Sequence, residues 1–406
     1  MKWADGIRIA IASLIENPLR TFLTLIGITI GVTAVIFVVS VIEGLNGYMA
    51  KNLGDLGPDV FVVTRIGIIQ NRVEREKAWQ RNRRITTEDC EAIRRQATEA
   101  GKVSIEFRTS RQVKYRAKTI NDVFIRGVEP DFFEISPTKI AEGRVFVPHD
   151  RTNIIFIGAD VAQNLFEGAS PLGKQIKVFG QNFTVVGVAE REGSFLGNSQ
   201  DGFAFIPFDT FKKVRGTRGY SGRIHVKARD PMRVQPAIDE VRQIMRARHH
   251  LGFKDKDDFG IQTSDDLMNL WHDLTAMIFN VAIFVVSISL VVGGIVIMNI
   301  MLLTVVERTR EIGVRKAIGA SQHDIEFQFL VESILLCALG GLLGVALGWF
   351  GAWAVRTTTP LPTSFPLWAP ILAVALTSTV GIVFGLHPAR TAGRLDPIEA
   401  LRSNET

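Results

Sequence analysis

The sequence is poor in cysteine and lacks the short motifs that mark common enzyme sites. Its two cysteines, Cys90 and Cys337, are too few for a disulfide framework or a cysteine-rich metal site. The motifs G-x-S-x-G, H-E-x-x-H, C-x-x-C and G-x-G-x-x-G are all absent. We therefore predict that the chain is not an enzyme by itself and binds no cofactor or metal.

One segment comes close to a phosphate-binding loop. Residues 168–175, GASPLGKQ, match G-x-x-x-x-G-K, but Gln175 stands where the motif needs a Ser or Thr hydroxyl to bind magnesium. Residues 176–179 are predicted to form a strand, whereas the motif leads into a helix. We interpret the Pro-Leu-Gly at its centre as a turn between elements of a β-rich module.

Charged side chains are missing from four long stretches. Residues 21–42 run for 22 positions without a charge. At a rise of 1.5 Å per residue, this length suffices to cross about 30 Å of hydrocarbon. Similar apolar stretches lie at about 275–306, 327–355 and 367–386. The sequence thus predicts four transmembrane helices, with a polar block of about 230 residues between the first and the second.

Basic residues outside the polar block fall almost entirely on one side of this topology. Because short loops rich in Lys and Arg stay in the cytoplasm, we predict that both termini are cytoplasmic and that the polar block is extracytoplasmic. The net charge of +6 then lies outside the cytoplasm, which excludes a nucleic-acid partner. The ten basic residues are Lys2, Arg8, Arg20, Arg308, Arg310, Arg315, Lys316, Arg390, Arg394 and Arg402, and Arg356 falls on the other side.

The predicted fold class is a membrane protein with four transmembrane helices and a large extracytoplasmic mixed α/β part. Residues near both ends of the polar block are patterned as β-α-β units, and the middle is rich in glycine and short apolar runs. The arginine-rich run at 72–84 is expected to be a solvated, mobile loop. The four transmembrane helices are predicted at 19–44, 273–306, 327–355 and 367–387. The extracytoplasmic block consists of the two β-α-β parts at 45–127 and 221–272 and the inserted β-rich part at 128–220, and a short extracytoplasmic loop is predicted at 356–366. The cytoplasmic segments are an amphipathic helix at 1–18, a loop at 307–326 and a tail at 388–406.

The spanning segments carry small residues rather than ionisable ones. The ionisable side chain inside them is Glu332, near the cytoplasmic end of the third, where we expect an arginine or lipid headgroups beside it. A proton-coupled pump is therefore disfavoured. Glycines four residues apart let helices approach closely, within the chain or against a second copy. They are Gly27, Gly31, Gly340, Gly344, Gly348, Gly381 and Gly385.

The loop between the second and third spanning segments is charged yet also apolar. It contains ERTREIGVRKAIGAS at residues 307–321, with Ile312, Val314 and Ile318 available for burial. A plain positive-inside loop would not need these side chains. A short helix that docks into a groove of another protein would use them, with the charges setting its register.

Four motifs in order resemble the MacB/FtsX-type permease family of ABC transporters. They are NPLRTFLTLIGITIGV at the first span, SPLGKQIKVFGQNFTVVGV in the middle block, ERTREIGVRKAIGAS, and PARTAGRLDPIEALR at the C-terminus. The resemblance implies the type VII ABC fold, a porter subdomain made of the two β-α-β units, an inserted Sabre subdomain, a homodimer and a place in the bacterial inner membrane.

In that family, the loop with this sequence holds the coupling helix that contacts the ATPase. The residues that inherit this role by position are Glu307, Arg308, Arg310, Glu311, Gly313, Arg315, Lys316 and Gly319. The 406 residues contain no nucleotide-binding domain of their own, so we expect a separate ATPase subunit that carries the ATP and magnesium.

The resemblance implies mechanotransmission, in which ATP-driven closure of the ATPase subunits moves the spanning helices and so reshapes the extracytoplasmic domains. Export of antibiotics, peptides or other amphiphiles is the expected function, and in Gram-negative members a periplasmic adaptor and an outer-membrane duct are further partners. The alternatives are an FtsX-like permease that controls a cell-wall hydrolase and a Lol-like permease that extracts lipoproteins.

Overall fold

The computed structural model describes residues 18–54, 57–150, 153–195, 198–359 and 361–402. It divides into two compact units. The helical unit comprises Met1–Tyr48 and Asp273–Thr406, and the α/β unit comprises Met49–His272. The amphipathic helix predicted for residues 1–18 lies outside the described residues, except for its last position.

The described elements alternate between helices and short strands in the α/β unit and are entirely helical in the other. The helices are α1 (Pro18–Gly54), α2 (Arg72–Arg81), α3 (Thr87–Gln96), α4 (Phe132–Ile135), α5 (Ala159–Phe166), α6 (Phe208–Arg215), α7 (Val234–Arg248), α8 (Ser264–Glu307), α9 (Thr309–Ala317), α10 (Gln322–Thr358), α11 (Trp368–Gly393) and α12 (Pro397–Arg402). The strands are β1 (Val60–Thr64), β2 (Ala100–Tyr115), β3 (Lys118–Val128), β4 (Ile140–Gly143), β5 (Ile154–Ile157), β6 (Gln175–Val178), β7 (Gln181–Ala189), β8 (Ser194–Phe195), β9 (Asn198–Ser199), β10 (Phe203–Pro207), β11 (Arg223–Ala228) and β12 (Gly260–Thr263).

Four of the described helices are long and apolar enough to cross a membrane. They are α1 over Leu25–Met49, and α8, α10 and α11 over their full lengths. The helices extend beyond the predicted apolar stretches because polar turns cap them. Thr263 and Asp266 form a capping box before α8, and Ser321 and Asp324 form another before α10.

The two predicted β-α-β units interlock instead of forming separate ends of the α/β unit. β1 lies between β12 and β11, and β2 lies on the other side of β11, with each of these pairs antiparallel. In this order, β11 of the second β-α-β unit lies between β1 and β2 of the first, and β1 of the first lies between β11 and β12 of the second. The resulting order β12-β1-β11-β2 is that of a ferredoxin-like, split β-α-β arrangement.

The middle of the block continues the same sheet. β3 pairs with β2, and β10, β5, β7 and β4 follow outward, so that a ten-stranded sheet results within the described residues, with β6 bridging β2 and β7. The strand predicted after the near-miss phosphate loop is confirmed, because β6 begins at Gln175. The expectation of a loop at the arginine-rich run is wrong. Residues Arg72–Arg81 form α2, which begins where the Asn71 side chain accepts hydrogen bonds from the backbone N–H groups of Val73 and Glu74.

Two hydrophobic clusters pack on the described sheet, a smaller one formed by β5, β10 and α4 on one face and a larger one on the opposite face. Side chains at odd positions of β2, such as Ile105 and Phe107, are buried there together with Ile93 of α3 and Val241 of α7. Because successive side chains of a strand point to opposite faces, the even positions of β2 face the other way. Glu106 is one of these even positions, and most of the charged side chains of the sheet discussed below lie on this same face.

Candidate functional site: the segment between α8 and α10

The loop between the second and third spanning helices contains a short helix, α9. It begins after Arg308 and ends at Ala317, and Gly319 follows with a φ of +105°. This left-handed conformation favours glycine and lets the chain turn towards α10. The structure therefore has the predicted short helix in this loop, and its docking into another protein stays a prediction.

Close packing fixes α9 against α12. Ile312 and Gly313 are buried in this contact. A Cβ atom added to Gly313 would lie 2.8 Å from Cβ of Ala400, a distance that real Cβ atoms essentially never show. Glycine at this position is thus what allows the two helices to touch.

Two basic residues of the predicted set fix the far end of α9. Nζ of Lys316 donates hydrogen bonds to the carbonyl oxygens of Gly393 (2.6 Å) and Leu395 (2.7 Å), where α11 ends. A guanidinium N–H of Arg315 donates to Oε1 of Gln328 on α10 at 2.6 Å. Cations are favourable near carbonyl groups at a helix C-terminus. Both side chains therefore act within the chain, joining α9 to the two helices that follow it.

Arg308 reaches the carboxylate predicted to lie near an arginine. Its guanidinium is 3.8 Å from Oε1 of Glu332, whose side chain is buried in α10. Removal of one partner of a buried pair leaves the other charge uncompensated. The contact thus joins the beginning of α9 to the first turns of α10.

The outer side of α9 and α12 forms an exposed surface that mixes apolar and charged groups. Ile318 is 81% exposed and Ile398 is 75% exposed. The predicted residues Glu307, Arg310, Glu311 and Gly319 are exposed as well. We call this surface the α9–α12 patch, and its apolar members are Val314, Ile318, Ile398 and Leu401. Exposed apolar groups with charges at their edge are typical of a protein-binding surface.

The contribution of α12 is what the sequence-based prediction missed, because residues 388–406 were assigned to a tail. A signal for this helix is present. Asp396 precedes Pro397, and its Oδ1 accepts a hydrogen bond from the backbone N–H of Ile398 at 2.8 Å. Proline in the first turn after an acidic cap is a usual start of a helix.

Glycines on α10 bring that helix against α1. Cβ atoms added to Gly340, Gly344 and Gly348 would meet side chains of α1, and the one at Gly344 would lie 2.6 Å from Cβ of Val32. The carbonyl oxygen of Gly344 also accepts a hydrogen bond from Oγ1 of Thr33 at 3.2 Å. Such small-residue contacts replace the hydrophobic driving force that lipid-embedded helices lack.

The remaining predicted glycines pack in the same way. Gly27 and Gly31 of α1 face α8, where Gly293 lies opposite Gly27, and Gly381 and Gly385 of α11 face α10. Oγ of Ser333 donates to the carbonyl oxygen of Gly381 at 3.0 Å. All seven predicted glycines therefore lie at contacts within one chain.

A buried charged cluster joins α3 and α7 in the α/β unit. Nδ1 of His249 lies 2.6 Å from Asp258, its Nε2 lies 3.6 Å from Asp89, and Nε of Arg248 donates to Asp89 at 2.8 Å. Burial raises the pKa of Asp89, but hydrogen bonding to His249, Arg248 and Thr86 outweighs it and holds that pKa well below the ordinary value. Asp89 and Asp258 in turn raise the pKa of His249 despite its burial.

Two family models match the chain in sequence order. The one described as "MacB-like periplasmic core domain" matches residues 21–244, and the one described as "FtsX-like permease C-terminal" matches residues 283–397. The chain belongs to the MacB/FtsX-type permease family. The second match includes all of α9 and α10, so the segment described above lies in the permease part.

Curated relatives are similar over nearly the whole chain. A protein named "Macrolide export ATP-binding/permease protein MacB" from Bdellovibrio bacteriovorus is 33% identical over 394 residues, which cover 96% of this chain and 60% of the relative. The protein of the same name from Hahella chejuensis is 32% identical over 407 residues, with 98% and 60% covered. The chain thus spans about three-fifths of the length of these relatives.

Solved structures similar to this chain are extracytoplasmic parts of transporters. The periplasmic region of MacB from Actinobacillus actinomycetemcomitans is 18% identical with a TM-score of 0.45, covering 55% of this chain and 96% of that one. The extracellular domain of the noncanonic ABC-type transporter YknZ from Gram-positive bacteria is 19% identical with a TM-score of 0.40, covering 50% of this chain and all of that one.

Proposed function

We propose that this chain is the permease subunit of an ABC exporter, and that it transmits the motion of a separate ATPase subunit to its own extracytoplasmic domain. The cargo is an amphiphile such as an antibiotic or a peptide. ATP and magnesium are bound by the ATPase. The observation that carries the proposal is the α9–α12 patch, an exposed surface of apolar and charged side chains on a helix that is firmly joined to three others.

The attachment of α9 makes it suited to receive a force. Gly313 packs on α12, Lys316 bonds to the end of α11, and Arg308 and Arg315 contact α10. A partner that displaces α9 therefore displaces the ends of these helices with it. We assign Arg308, Gly313, Arg315 and Lys316 to this attachment.

The residues left exposed are those that would contact the ATPase. Arg310 and Glu311 offer charges of both signs, which set partner choice and orientation more than affinity. Val314 and Ile318 lie one turn apart and offer the apolar contact that a short helix needs in a groove. Glu307 and Gly319 lie at the two edges of this surface.

The spanning helices are better suited to act as levers than as a pathway. Glu332, the ionisable residue within the predicted apolar stretches, is buried beside Arg308 and is not available to a cargo. α8 continues without a break from β12, the last strand of the α/β unit, to Glu307, immediately before α9. A continuous helix of this kind connects the extracytoplasmic domain to the coupling segment through the backbone itself.

The distribution of charge and apolar surface supports the topology and the assembly that we propose. Basic residues near α9 and α12 support cytoplasmic termini in the inner membrane. The outer face of α8 exposes Val281, Phe284, Ile288 and Val292, which gives a second copy a surface to pack on in a homodimer. A periplasmic adaptor and an outer-membrane duct would complete the export route.

Export is favoured over control of a cell-wall hydrolase or extraction of lipoproteins. The reason is that residues 21–244 match the MacB-like periplasmic core domain, and that the relatives are named for macrolide export.

The test compares two apolar positions of equal exposure. Val314 in the patch is 45% exposed, and Val147 in the α/β unit is 46% exposed. Tagged Val314→Glu and Val147→Glu chains are purified in mild detergent from the native host, and the amount of co-purifying ATPase and the ATP hydrolysis are measured. We expect the first variant to lose both and the second to keep both.

The wild-type chain freed of its partner should not hydrolyse ATP. Hydrolysis by the chain alone would overturn the division between permease and ATPase, and retention of the ATPase by Val314→Glu would overturn the role of the patch.

A further inference from the structure

A cavity of about 580 Å³ lies in the α/β unit, on the face of the sheet opposite the larger hydrophobic cluster. Four arginines line it, namely Arg65, Arg84, Arg108 and Arg223. None of the twelve lining residues, all of them within the described ranges 57–150 and 198–359, is acidic. Segments far apart in sequence thus bring four positive charges to one cavity without a carboxylate in its wall.

The two exposed arginines of the cavity lack partners. Among the described residues, neither Arg84 nor Arg108 has a hydrogen bond or ion pair through its side chain. Arg108 on β2 also lies directly opposite Arg126 on β3 in the strand register. Like charges in opposite positions of antiparallel strands are destabilising. The sheet therefore tolerates an unfavourable pair at the edge of this cavity.

Arg223 on β11 shows the same lack of compensation at a half-buried position. Its Nε atom is buried without a hydrogen-bond partner in the described structure. Burial lowers the pKa of Arg223, and the charges of Arg108 and Arg126 lower it further. Glu106 is the nearby carboxylate, but it is already bonded to His225 at 2.8 Å and lies 3.7 Å from Nε of Arg126. One carboxylate thus faces two guanidinium groups and an imidazole.

The fourth arginine is held in place by groups that do not neutralise it. Nε of Arg65 donates to the carbonyl oxygen of Asn82 at 2.9 Å, and another of its N–H groups donates to the carbonyl oxygen of Trp79. Its guanidinium lies over the Trp79 ring, 4.7 Å from the ring centre. These contacts fix the position of the charge before any ligand arrives, which reduces the cost of binding.

We propose that this cavity binds a phosphoryl group, either of a free phosphate compound or of a lipid headgroup. The fork of N–H donors of arginine matches the oxygens of phosphate. A phosphoryl group with a charge of about −1.5 to −2 compensates several guanidinium groups at once, which a carboxylate cannot do. Trp79 and Tyr220 at the wall offer aromatic surface to the rest of the ligand. The proposal goes beyond the export role and does not depend on the ATPase.

The test measures binding to the purified full chain in an uncharged maltoside detergent and phosphate-free buffer. Inorganic pyrophosphate and monododecyl phosphate are the two probes, and isothermal titration calorimetry is the readout. Arg84→Gln combined with Arg108→Gln should weaken binding at least about tenfold, since two charge-assisted contacts are removed. Arg111→Gln is the matched control, because Arg111 is exposed on the same strand as Arg108 but does not line the cavity.

The two probes distinguish the sources of the phosphoryl group. Binding of pyrophosphate supports a free phosphate compound, and binding of monododecyl phosphate alone supports a lipid headgroup. Absence of binding with either probe overturns the proposal. Binding that the double variant and Arg111→Gln affect equally overturns it as well.

A second variant separates a ligand-binding arginine from a structural one. Removal of a buried, unpaired charge is stabilising when the new side chain fills the same space. We therefore expect Arg223→Met to weaken binding while the melting temperature of the unliganded chain stays the same or rises. Unchanged binding by Arg223→Met would assign this arginine to the fold and overturn its place in the site.

Discussion

The packing of α10 on α1 makes a sharp prediction at Gly344. In Gly344→Ala, the new Cβ would lie 2.6 Å from Cβ of Val32 and 2.9 Å from the carbonyl oxygen of Thr29. The carbonyl is part of the backbone of α1 and cannot rotate away, so the two helices must separate by several tenths of an ångström. The hydrogen bond from Thr33 to the carbonyl of Gly344, 3.2 Å long in the wild-type chain, would weaken at the same time.

The same substitution seven residues later serves as the control. In Gly351→Ala, the nearest atom to the new Cβ would be Cδ2 of Phe37 at 3.5 Å, an ordinary van der Waals contact. Replacement of glycine by alanine in a helix gains up to about 1 kcal/mol of unfolding free energy. Overpacking costs about 1–3 kcal/mol. We expect Gly351→Ala to be neutral or stabilising, and Gly344→Ala to be destabilising by up to about 2 kcal/mol, which is the overpacking cost less the full gain from alanine.

The assay is the thermal melting of both variants in the same detergent, followed by the fraction that remains monodisperse in size-exclusion chromatography. Gly344→Ala should melt below the wild-type chain, and Gly351→Ala at or above it. A Gly344→Ala chain that melts as high as Gly351→Ala would show that α1 and α10 are not held in the close contact described here.

Three further predictions concern single side chains. Lys316→Met should lower ATP-driven transport per inserted chain, measured against membrane expression, because α9 loses its bonds to the end of α11; unchanged transport would contradict this. Cys90 should resist alkylation by iodoacetamide at pH 8 in the folded chain, since burial raises the pKa of its thiol to about 12; rapid labelling would contradict its burial. Protection of the α3 and α7 amides of the full chain against hydrogen exchange, measured relative to the intrinsic rate at each pH, should be greatest between about pH 4 and 6.5, the ordinary pKa values for Asp and His. The lowered pKa of Asp89 means that its contribution is lost as the pH falls through that pKa, and the raised pKa of His249 means that its contribution is lost as the pH rises through its own. Asp89→Asn should remove the acidic limb, and an unaltered profile would refute the linkage.

Local sequence patterns were sufficient to predict the helices and strands that are determined by the sequence of the segment itself. The apolar stretches predicted the four spanning helices, because length and lack of charge are properties of the segment alone. The strand beginning at Gln175 and the short helix at Thr309 were predicted for the same reason. The apolar stretches did not predict where the long helices end. The thickness of the membrane limits the length of an apolar stretch, whereas a polar turn with a capping box, such as Thr263–Asp266, lets the helix continue beyond that stretch.

Arrangements that join distant segments could not be predicted in this way. The placement of β1 between β11 and β12 depends on pairing across about 160 residues or more, which no local period encodes. The charge run that forms α2 was taken for a loop because its cap, Asn71, is a single residue outside the run. The cavity with Arg65, Arg84, Arg108 and Arg223 combines four separate segments, and their charges appeared in the sequence only as an ordinary basic excess.

The packing contacts also determine which helices move together when α9 is displaced. α10 is in close contact with α1 at Gly344 and with α11 at Gly341, where an added Cβ would lie 2.6 Å from Oγ1 of Thr377. Contacts this close do not slide gradually, because a shift along the helix axis brings larger side chains against the glycines. α1, α10 and α11 therefore respond as one block, and the bonds of Lys316 carry α9 with it. In the function proposed above, a push from the ATPase on α9 would then displace the whole bundle, which is the mechanical requirement for transmission across the membrane without a cargo pathway through the helices.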